Sequence, residues 1–379
     1  MISLKFGWIG VNIFFVLSGF LITRILVHNK HKSLKNYLAE FFYKRSIRIF
    51  PVYYLFIIVT PAVVFLLLFL VPDLSGNTIM QSGTAAIQHN WPYYLTYTYN
   101  LKLNLSHLVG ITNFEDHFFG HLWSLSVEEQ FYLAFPFVVY FASISTLKKV
   151  IIGIIILCPL IRLWSALYGV HMVTDKFWLG ETLYTNTLCQ ADALAMGAAL
   201  AVFPFKIDYP YRNFFAIISV WLLVGLICLF YLRKAGYFGV EGKSLGYNFP
   251  GYWLEQVTPY FLINMRAVYQ YTLVNLLAVS LIAPAIAGKP LFPKVFKAKA
   301  ISYLGKISYG IYLFHFPLIA LFMVCASFYG GWQLLNTGLA AQLGIFILYM
   351  AMLILLAHLS YKYFEQKILS RYKYAYAKR

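Results

Sequence analysis

Long apolar stretches alternate with short polar segments along the whole chain. A membrane-crossing helix needs about 20 apolar residues. Nine stretches approach or reach that length: residues 9–27, 51–71, 118–141, 150–168, 183–203, 214–232, 262–287, 301–327 and 335–357. Residues 79–101 are too polar and too aromatic for a lipid-facing span. Their Trp/Tyr-rich part, residues 91–99, reads as an interfacial or re-entrant segment. The pattern predicts an all-α fold, a polytopic transmembrane helix bundle of about nine spans. No internal repeat, linker or soluble domain of useful size is visible, so residues 1–379 read as one domain.

Charge orients this bundle. Between residues 1 and 23 the only charge is Lys5, whereas residues 24–48 hold seven Lys or Arg and one acid, Glu40. Basic loops stay in the cytoplasm, so the first helix should run from outside to inside. With the 24–50 loop inside, nine spans also place Lys148, Lys149, the 206–212 and 289–299 clusters and the tail inside. The outer loops are then 73–117, 169–182 and 233–260, and every basic cluster falls on one side. This order puts Met1 outside on a helix with no leader. One further inside-to-outside helix before it would make ten.

Composition narrows the class. Hydrophobic residues make up 61% of the chain, charged residues 11%, and mean hydropathy is +0.70. A soluble domain carries about 25% charged residues, so the chain reads as an integral membrane protein. The opening lacks a basic n-region and a small-residue cleavage site, so no cleavable signal peptide is evident. Cys158, Cys189, Cys228 and Cys325 are scattered in apolar segments without a CxxC, which implies packing rather than disulfides or a metal site. The net charge of +17 sits at alternate membrane boundaries, four Lys within 289–299 and six Lys or Arg within 358–379. Such clusters favour membrane lipid headgroups and argue against nucleic acid.

Three segments carry candidate chemistry. Arg45 and Arg48 lie three apart on one helical face at the cytoplasmic mouth of the second span. Paired guanidinia suit the phosphates of a nucleotide-diphosphate donor such as CoA, although topology anchoring alone also uses such residues. In HLWSLSVEEQFY, residues 121–132, two carboxylates enter the membrane from outside. Ser124, Glu128 and Tyr132 form one stripe, and Leu125, Glu129 and Leu133 the next. Intramembrane acids face the protein interior or a water-filled cavity. One could position an acceptor hydroxyl or a catalytic His, and the other could pair with Arg162 or Lys306; a packing ion pair is the plainer alternative. In ISYGIYLFHFP, Ser308, Tyr312 and His315 share a face. His315 is the best general-base candidate because imidazole titrates near neutral pH, with His121 a second one; a hydrogen-bonded packing residue is the competing reading.

Four segments together resemble the membrane acyltransferase-3 family, bacterial O-acyltransferases of lipopolysaccharide and other glycans. They are GWIGVNIFFVLSGFLIT (7–23), YKRSIRIFPVYY (43–54), HLWSLSVEEQFYLAFP (121–136) and LGKISYGIYLFHFPL (304–318), in the family's order and spacing. The resemblance implies transfer of an acyl group, usually acetyl, from cytoplasmic acyl-CoA to a sugar hydroxyl at the bacterial inner membrane, without a metal. It implies a donor site at Arg45 and Arg48. Glu128, Glu129 and His315 are the catalytic candidates, and His121, Trp123, Ser124, Tyr312 and Asp192 the acceptor-side candidates. A lipid-linked or exported glycan such as lipopolysaccharide O-antigen is the expected acceptor.

The chain departs from the family in four places. Asn12 stands where Asp is common, and Gln190 where Arg usually precedes Asp192. Asp192 must then pair with another helix or sit near an aqueous cavity. Gln366 and Lys367 follow Glu365 where the closing pattern has Pro. The family's first helix, with an Arg and the proposed catalytic His, has no counterpart, so the chain is expected to be N-terminally incomplete or read from a late Met. Gly7, Gly10, Ser18 and Gly19 offer small surfaces for helix packing. Two other classes compete with the enzyme. A proton-coupled glycan transporter or flippase would need inverted repeats, which are not found. An inactive truncated acyltransferase would keep only a scaffold role.

Overall fold

The computed structural model describes residues 7–108, 115–168, 176–204, 214, 216–220, 260–328 and 338–377. Among these the chain is helical, with no strand. Lipid offers backbone groups no hydrogen-bond partner, so apolar segments satisfy N–H and C=O internally as helices. The helices are α1 (Gly7–Asn29), α2 (Leu34–Leu70), α3 (Thr78–Leu95), α4 (Tyr99–Leu108), α5 (Trp123–Phe141), α6 (Ile144–Tyr168) and α7 (Lys176–Thr185). They continue with α8 (Thr187–Val202), α9 (Tyr260–Ile286), α10 (Pro293–Lys297), α11 (Lys299–Phe328), α12 (Leu339–Ser360) and α13 (Gln366–Ala377).

The all-α polytopic fold expected from the hydropathy pattern is what forms. Five helical stretches among the described residues are long and apolar enough to cross a membrane: Gly7–Asn29, Leu34–Leu70, Ile144–Ser165, Lys299–Ser327 and Ala340–Arg371. Gln270–Ile286 is a shorter apolar helix. Two of the nine expected spans differ in detail. The stretch 183–203 is broken, because α7 ends at Thr185 and Asn186 caps a new helix, accepting Leu188 N–H at 2.8 Å. Asn competes for backbone donors in this way and so favours helix starts. Residues 118–141 become a three-residue 3₁₀ turn, Gly120–Leu122, followed by α5. Of the stretch at 214–232, residues 215 and 221–232 lie outside the described residues.

The chain divides into two compact units. One comprises Met1–Leu34, Asn100–Thr112 and Ser124–Pro293; the other comprises Lys35–Tyr99, Asn113–Trp123 and Lys294–Arg379. In the first unit α8 is central, packed by α1, α6 and α9. Its sequence, TLCQADALAMGAALAV, explains why: small side chains let backbones approach closely where no hydrophobic force drives helices together in lipid. A Cβ at Gly19 of α1 would land on the Leu194 carbonyl, and one at Gly197 of α8 on the Val16 carbonyl. Gly7 and Gly10 meet nothing within 4 Å, so of the four small residues predicted for packing it is Gly19 that makes a close backbone approach. The opposite face of α1 presents Phe14, Leu17, Leu21 and Ile25 outward, as a lipid-facing helix should.

In the second unit α11 packs against α12 and α3. A Cβ at Gly310 would come within 3.2 Å of Ala357 Cα. Helix α2 joins α11 through Tyr309, whose hydroxyl donates to the Ile49 carbonyl at 3.3 Å, and through Phe56 against Phe314 at 5.7 Å. Residues 79–101 form α3, a turn and the start of α4. The turn residue Tyr97 takes φ 54°, sparsely populated for a side chain of this size, and its ring stacks on Tyr53 at 4.3 Å.

Candidate active site

The second unit brings together the two histidines that the sequence left apart. His121 sits in the 3₁₀ turn before α5, and His315 is near the middle of α11. Their ring centroids lie 4.9 Å apart. Around them stand Tyr312 (5.3 Å from His121), Phe316 (5.1 Å) and Phe56 (6.0 Å). The Tyr312 hydroxyl donates to the His121 carbonyl at 2.7 Å, and the Tyr349 hydroxyl to the His315 carbonyl at 3.1 Å. His315 Nδ1 lies 2.5 Å from the Tyr312 carbonyl of its own helix. A carbonyl can only accept, so Nδ1 carries the proton and the Nε2 lone pair is left available. That tautomer presents Nε2 as the nitrogen able to accept a proton. Phe56 and Phe316 went unnoticed in the sequence, where nothing marks one Phe among 34.

Arg45 and Arg48 lie about three to four turns into α2, which begins at Leu34, well before the predicted span. Glu40, the acid in the same stretch of sequence, is taken by Lys44 at 2.5 Å. Arg45 is half-buried and Arg48 exposed, and among the described residues no hydrogen bond or ion pair engages Arg48. It does act electrostatically on Glu365. Glu365 is buried and ends a π-helical segment, Tyr361–Glu365, between α12 and α13, accepting Ser360 Oγ at 3.2 Å. Such bulges rotate the side chains that follow them and are frequent at functional sites. Along α2, Phe56 of the histidine surround is eight residues, roughly 12 Å, beyond Arg48.

In the first unit, Ser18 of α1, Glu128 and Tyr132 of α5 form a buried hydroxyl–carboxylate cluster. Ser18 and Tyr132 both donate to Glu128 Oε1, and the two hydroxyl oxygens lie 2.6 Å apart. Ser124, Glu128 and Tyr132 share the stripe predicted for them, and all three are buried. Glu129 on the next stripe is half-buried. Gln130 then ties α5 to α4 and α8, through Asn100 Oδ1 at 2.8 Å and Thr187 Oγ1 at 2.5 Å. Trp123, at the head of α5, is buried at 6% exposure.

Asp192 finds its partner on another helix, as one of the two alternatives required. Its carboxylate takes Arg162 of α6 in a fork, NH1 to Oδ1 at 3.1 Å and NH2 to Oδ2 at 2.7 Å, and both residues are 0% exposed. Arg162 also donates to the Cys189 carbonyl and to Thr272 Oγ1 of α9, and its guanidinium lies 5.7 Å over the Tyr271 ring. Arg162 thus takes Asp192, and neither Glu128 nor Glu129, as its carboxylate. The two departures Asn12 and Gln190 meet here as well: Asn12 Nδ2 reaches Gln190 Oε1 at 3.5 Å and Asn275 Oδ1 at 2.8 Å. Asn275 and Thr272 carried no signal in the sequence. Among the described residues no group of three His, Cys, Asp or Glu side chains could hold a metal ion.

The O-acetyltransferase OatA of Staphylococcus aureus (strain NCTC 8325 / PS 47) is 27% identical over 368 residues, 96% of this chain and 52% of that protein. The peptidoglycan O-acetyltransferase OatA of Listeria monocytogenes serovar 1/2a is 30% identical over 332 residues, 84% of this chain and 46% of that protein. The chain spans about half the length of the curated relatives it matches. No solved structure matches. Residues 4–370 match the family described as an acyltransferase domain, and with the four quoted segments lying on α1, α2, α5 with the turn before it, and α11, the chain belongs to the acyltransferase-3 family.

Proposed function

We propose that this chain is a bacterial inner-membrane O-acetyltransferase that moves an acetyl group from cytoplasmic acetyl-CoA to a glycan hydroxyl. The relative from Listeria is named for peptidoglycan, and that is the acceptor favoured here, ahead of lipopolysaccharide O-antigen. Arg45 and Arg48 hold the diphosphate of the donor, since guanidinium forks match phosphate oxygens. His315 Nε2 takes the proton of the acceptor hydroxyl as its oxygen attacks the thioester carbonyl. The C–O ester bond forms, the C–S bond breaks, and the CoA thiolate receives the proton from the His315 imidazolium. His121 and Tyr312 shape the base and its surroundings. Glu129, Trp123 and Ser124 remain acceptor-side candidates. Glu128, bonded to two hydroxyls, serves better as an anchor between α1 and α5.

The observation that carries this reading is the His315 Nδ1 contact with the Tyr312 carbonyl, which leaves Nε2 as the acceptor. The test is O-acetylation of glycan in a host that supplies peptidoglycan and lipopolysaccharide. His315→Gln should lower the O-acetyl content by on the order of 100-fold or more. Arg45→Ala with Arg48→Ala should raise the KM for acetyl-CoA. Full activity of His315→Gln would remove the base assignment, and substrate movement without any acyl donor would favour a carrier.

A further inference from the structure

The turn that carries His121 is built around a residue the catalytic reading does not use. Asp116 stands five residues before His121, in the segment EDHFFGH. Its Oδ1 accepts the backbone N–H of Phe119 at 2.8 Å and of Phe118 at 3.3 Å. Its own carbonyl accepts Gly120 N–H at 3.1 Å, and Leu122 N–H bonds back to Phe119 at 2.8 Å. A carboxylate that captures the amides two and three residues on closes a turn in place of a backbone partner. The other oxygen, Oδ2, accepts the Tyr94 hydroxyl of α3 at 2.5 Å. One side chain therefore both folds the turn and ties it to a neighbouring helix.

The surroundings leave that turn little freedom. Phe118 and Phe119 are 0% exposed. The Phe118 ring occupies the space beside Gly83 of α3, and Phe119 packs on Tyr94 at 5.0 Å and on Phe56 at 5.3 Å. The Phe316 ring comes within 3.1 Å of where a Gly120 Cβ would stand. Burial pushes the Asp116 carboxyl up from the ordinary aspartate range, against the pull of Tyr94 and the two amides. A half-buried carboxyl that gathers a hydroxyl and two backbone amides fixes the geometry of the turn between them.

We propose that Asp116 is a positioning residue that, through Tyr94 and the Phe118–Phe119 amides, holds His121 against His315. The proposal rests on the reading of His315 as the base, and the two are separable by experiment. In the full chain with its four cysteines replaced, His121→Cys combined with His315→Cys should cross-link readily under mild oxidation or with a short bifunctional thiol reagent. Adding Asp116→Ala should lower the cross-linking rate about tenfold. Adding Asp116→Asn, which keeps the acceptor for the two amides, should restore most of it. In the histidine-bearing chain, Asp116→Ala should lower kcat with acetyl-CoA and soluble peptidoglycan fragments on the order of 10-fold to 100-fold while the KM for acetyl-CoA stays put. Thermal unfolding in detergent separates this from general loss of fold: lost cross-linking well below the unfolding midpoint of Asp116→Ala supports positioning, and loss only where that variant unfolds overturns it. Unchanged cross-linking in Asp116→Ala overturns the proposal whether or not the chain turns over. Lost cross-linking together with full activity of His315→Gln leaves the positioning intact and removes the base.

Discussion

Arg162 and Asp192 show how much a single buried residue can decide. Two charges at 0% exposure are tolerated because the fork, Thr272 and the Cys189 carbonyl engage both terminal guanidinium nitrogens, Nε alone being left without a partner among the described residues. Removing one partner leaves an uncompensated charge, so Asp192→Ala should destabilise the protein by about 3–5 kcal/mol, read as a large drop in the detergent unfolding midpoint. Replacing both, Arg162→Met with Asp192→Val, should recover much of the loss, because apolar residues closer in size carry no desolvation penalty there. Partial legibility is the rule at this scale. Glu128, Ser124 and Tyr132 could be placed on one stripe by their spacing of four, whereas Ser18 as their partner lies 110 residues away and no local pattern points to it. Asp116 was missed because an acid in an outer loop looks like any solvated charge until the turn it folds is seen.

Helices α1 and α8 are held by the absence of side chains. Both glycines at their crossing face a backbone carbonyl, so any substitution pushes the helices apart. Gly197→Val should cost about 1–3 kcal/mol or more through overpacking, and Gly19→Leu the same or worse, whereas Gly10→Ala should be neutral. Unfolding midpoints of the three variants in detergent check this. The apolar stretches gave away their helices, and their ends were less readable. Asn186 interrupts a stretch that hydropathy alone treats as continuous, because one side-chain oxygen accepting Leu188 N–H suffices to start a new helix. Helix α2 begins at Leu34, about a dozen residues before the paired arginines. A polar, charged helical segment leaves no hydropathy signal, so the N-terminal part of α2, which carries Arg45 and Arg48, was not legible as helix from hydropathy.

For the whole molecule the charge pattern predicts that the basic segments lie on the cytoplasmic side. With the native cysteines replaced, Lys35→Cys and Lys294→Cys should react with a membrane-impermeant thiol reagent only in inverted vesicles. Asp73→Cys, just beyond α2, should react only in right-side-out ones. Labelling of Lys35→Cys and Asp73→Cys from the same face would overturn the assigned orientation of α2. Helix α6 of the first unit presents Ile156, Leu157 and Leu160 outward, and α12 of the second presents Ile347, Leu348 and Leu355, as lipid-facing helices do.

Sequence alone determined the class of this protein, because hydropathy and charge are summed over long windows and need no knowledge of contacts. It determined the family too, through four segments whose residue order survives without a structure. It could nominate His315, Arg45, Arg48, Glu128 and Asp192, since titratable groups in apolar surroundings are rare and expensive. Only the tertiary structure decided what each of them faces. It set His121 beside His315, turned the His315 Nδ1 toward a carbonyl, gave Asp192 to Arg162, and brought Asn12 to Gln190 across 178 residues. Those pairings depend on where helices cross, and crossings are fixed by packing between residues far apart in the chain.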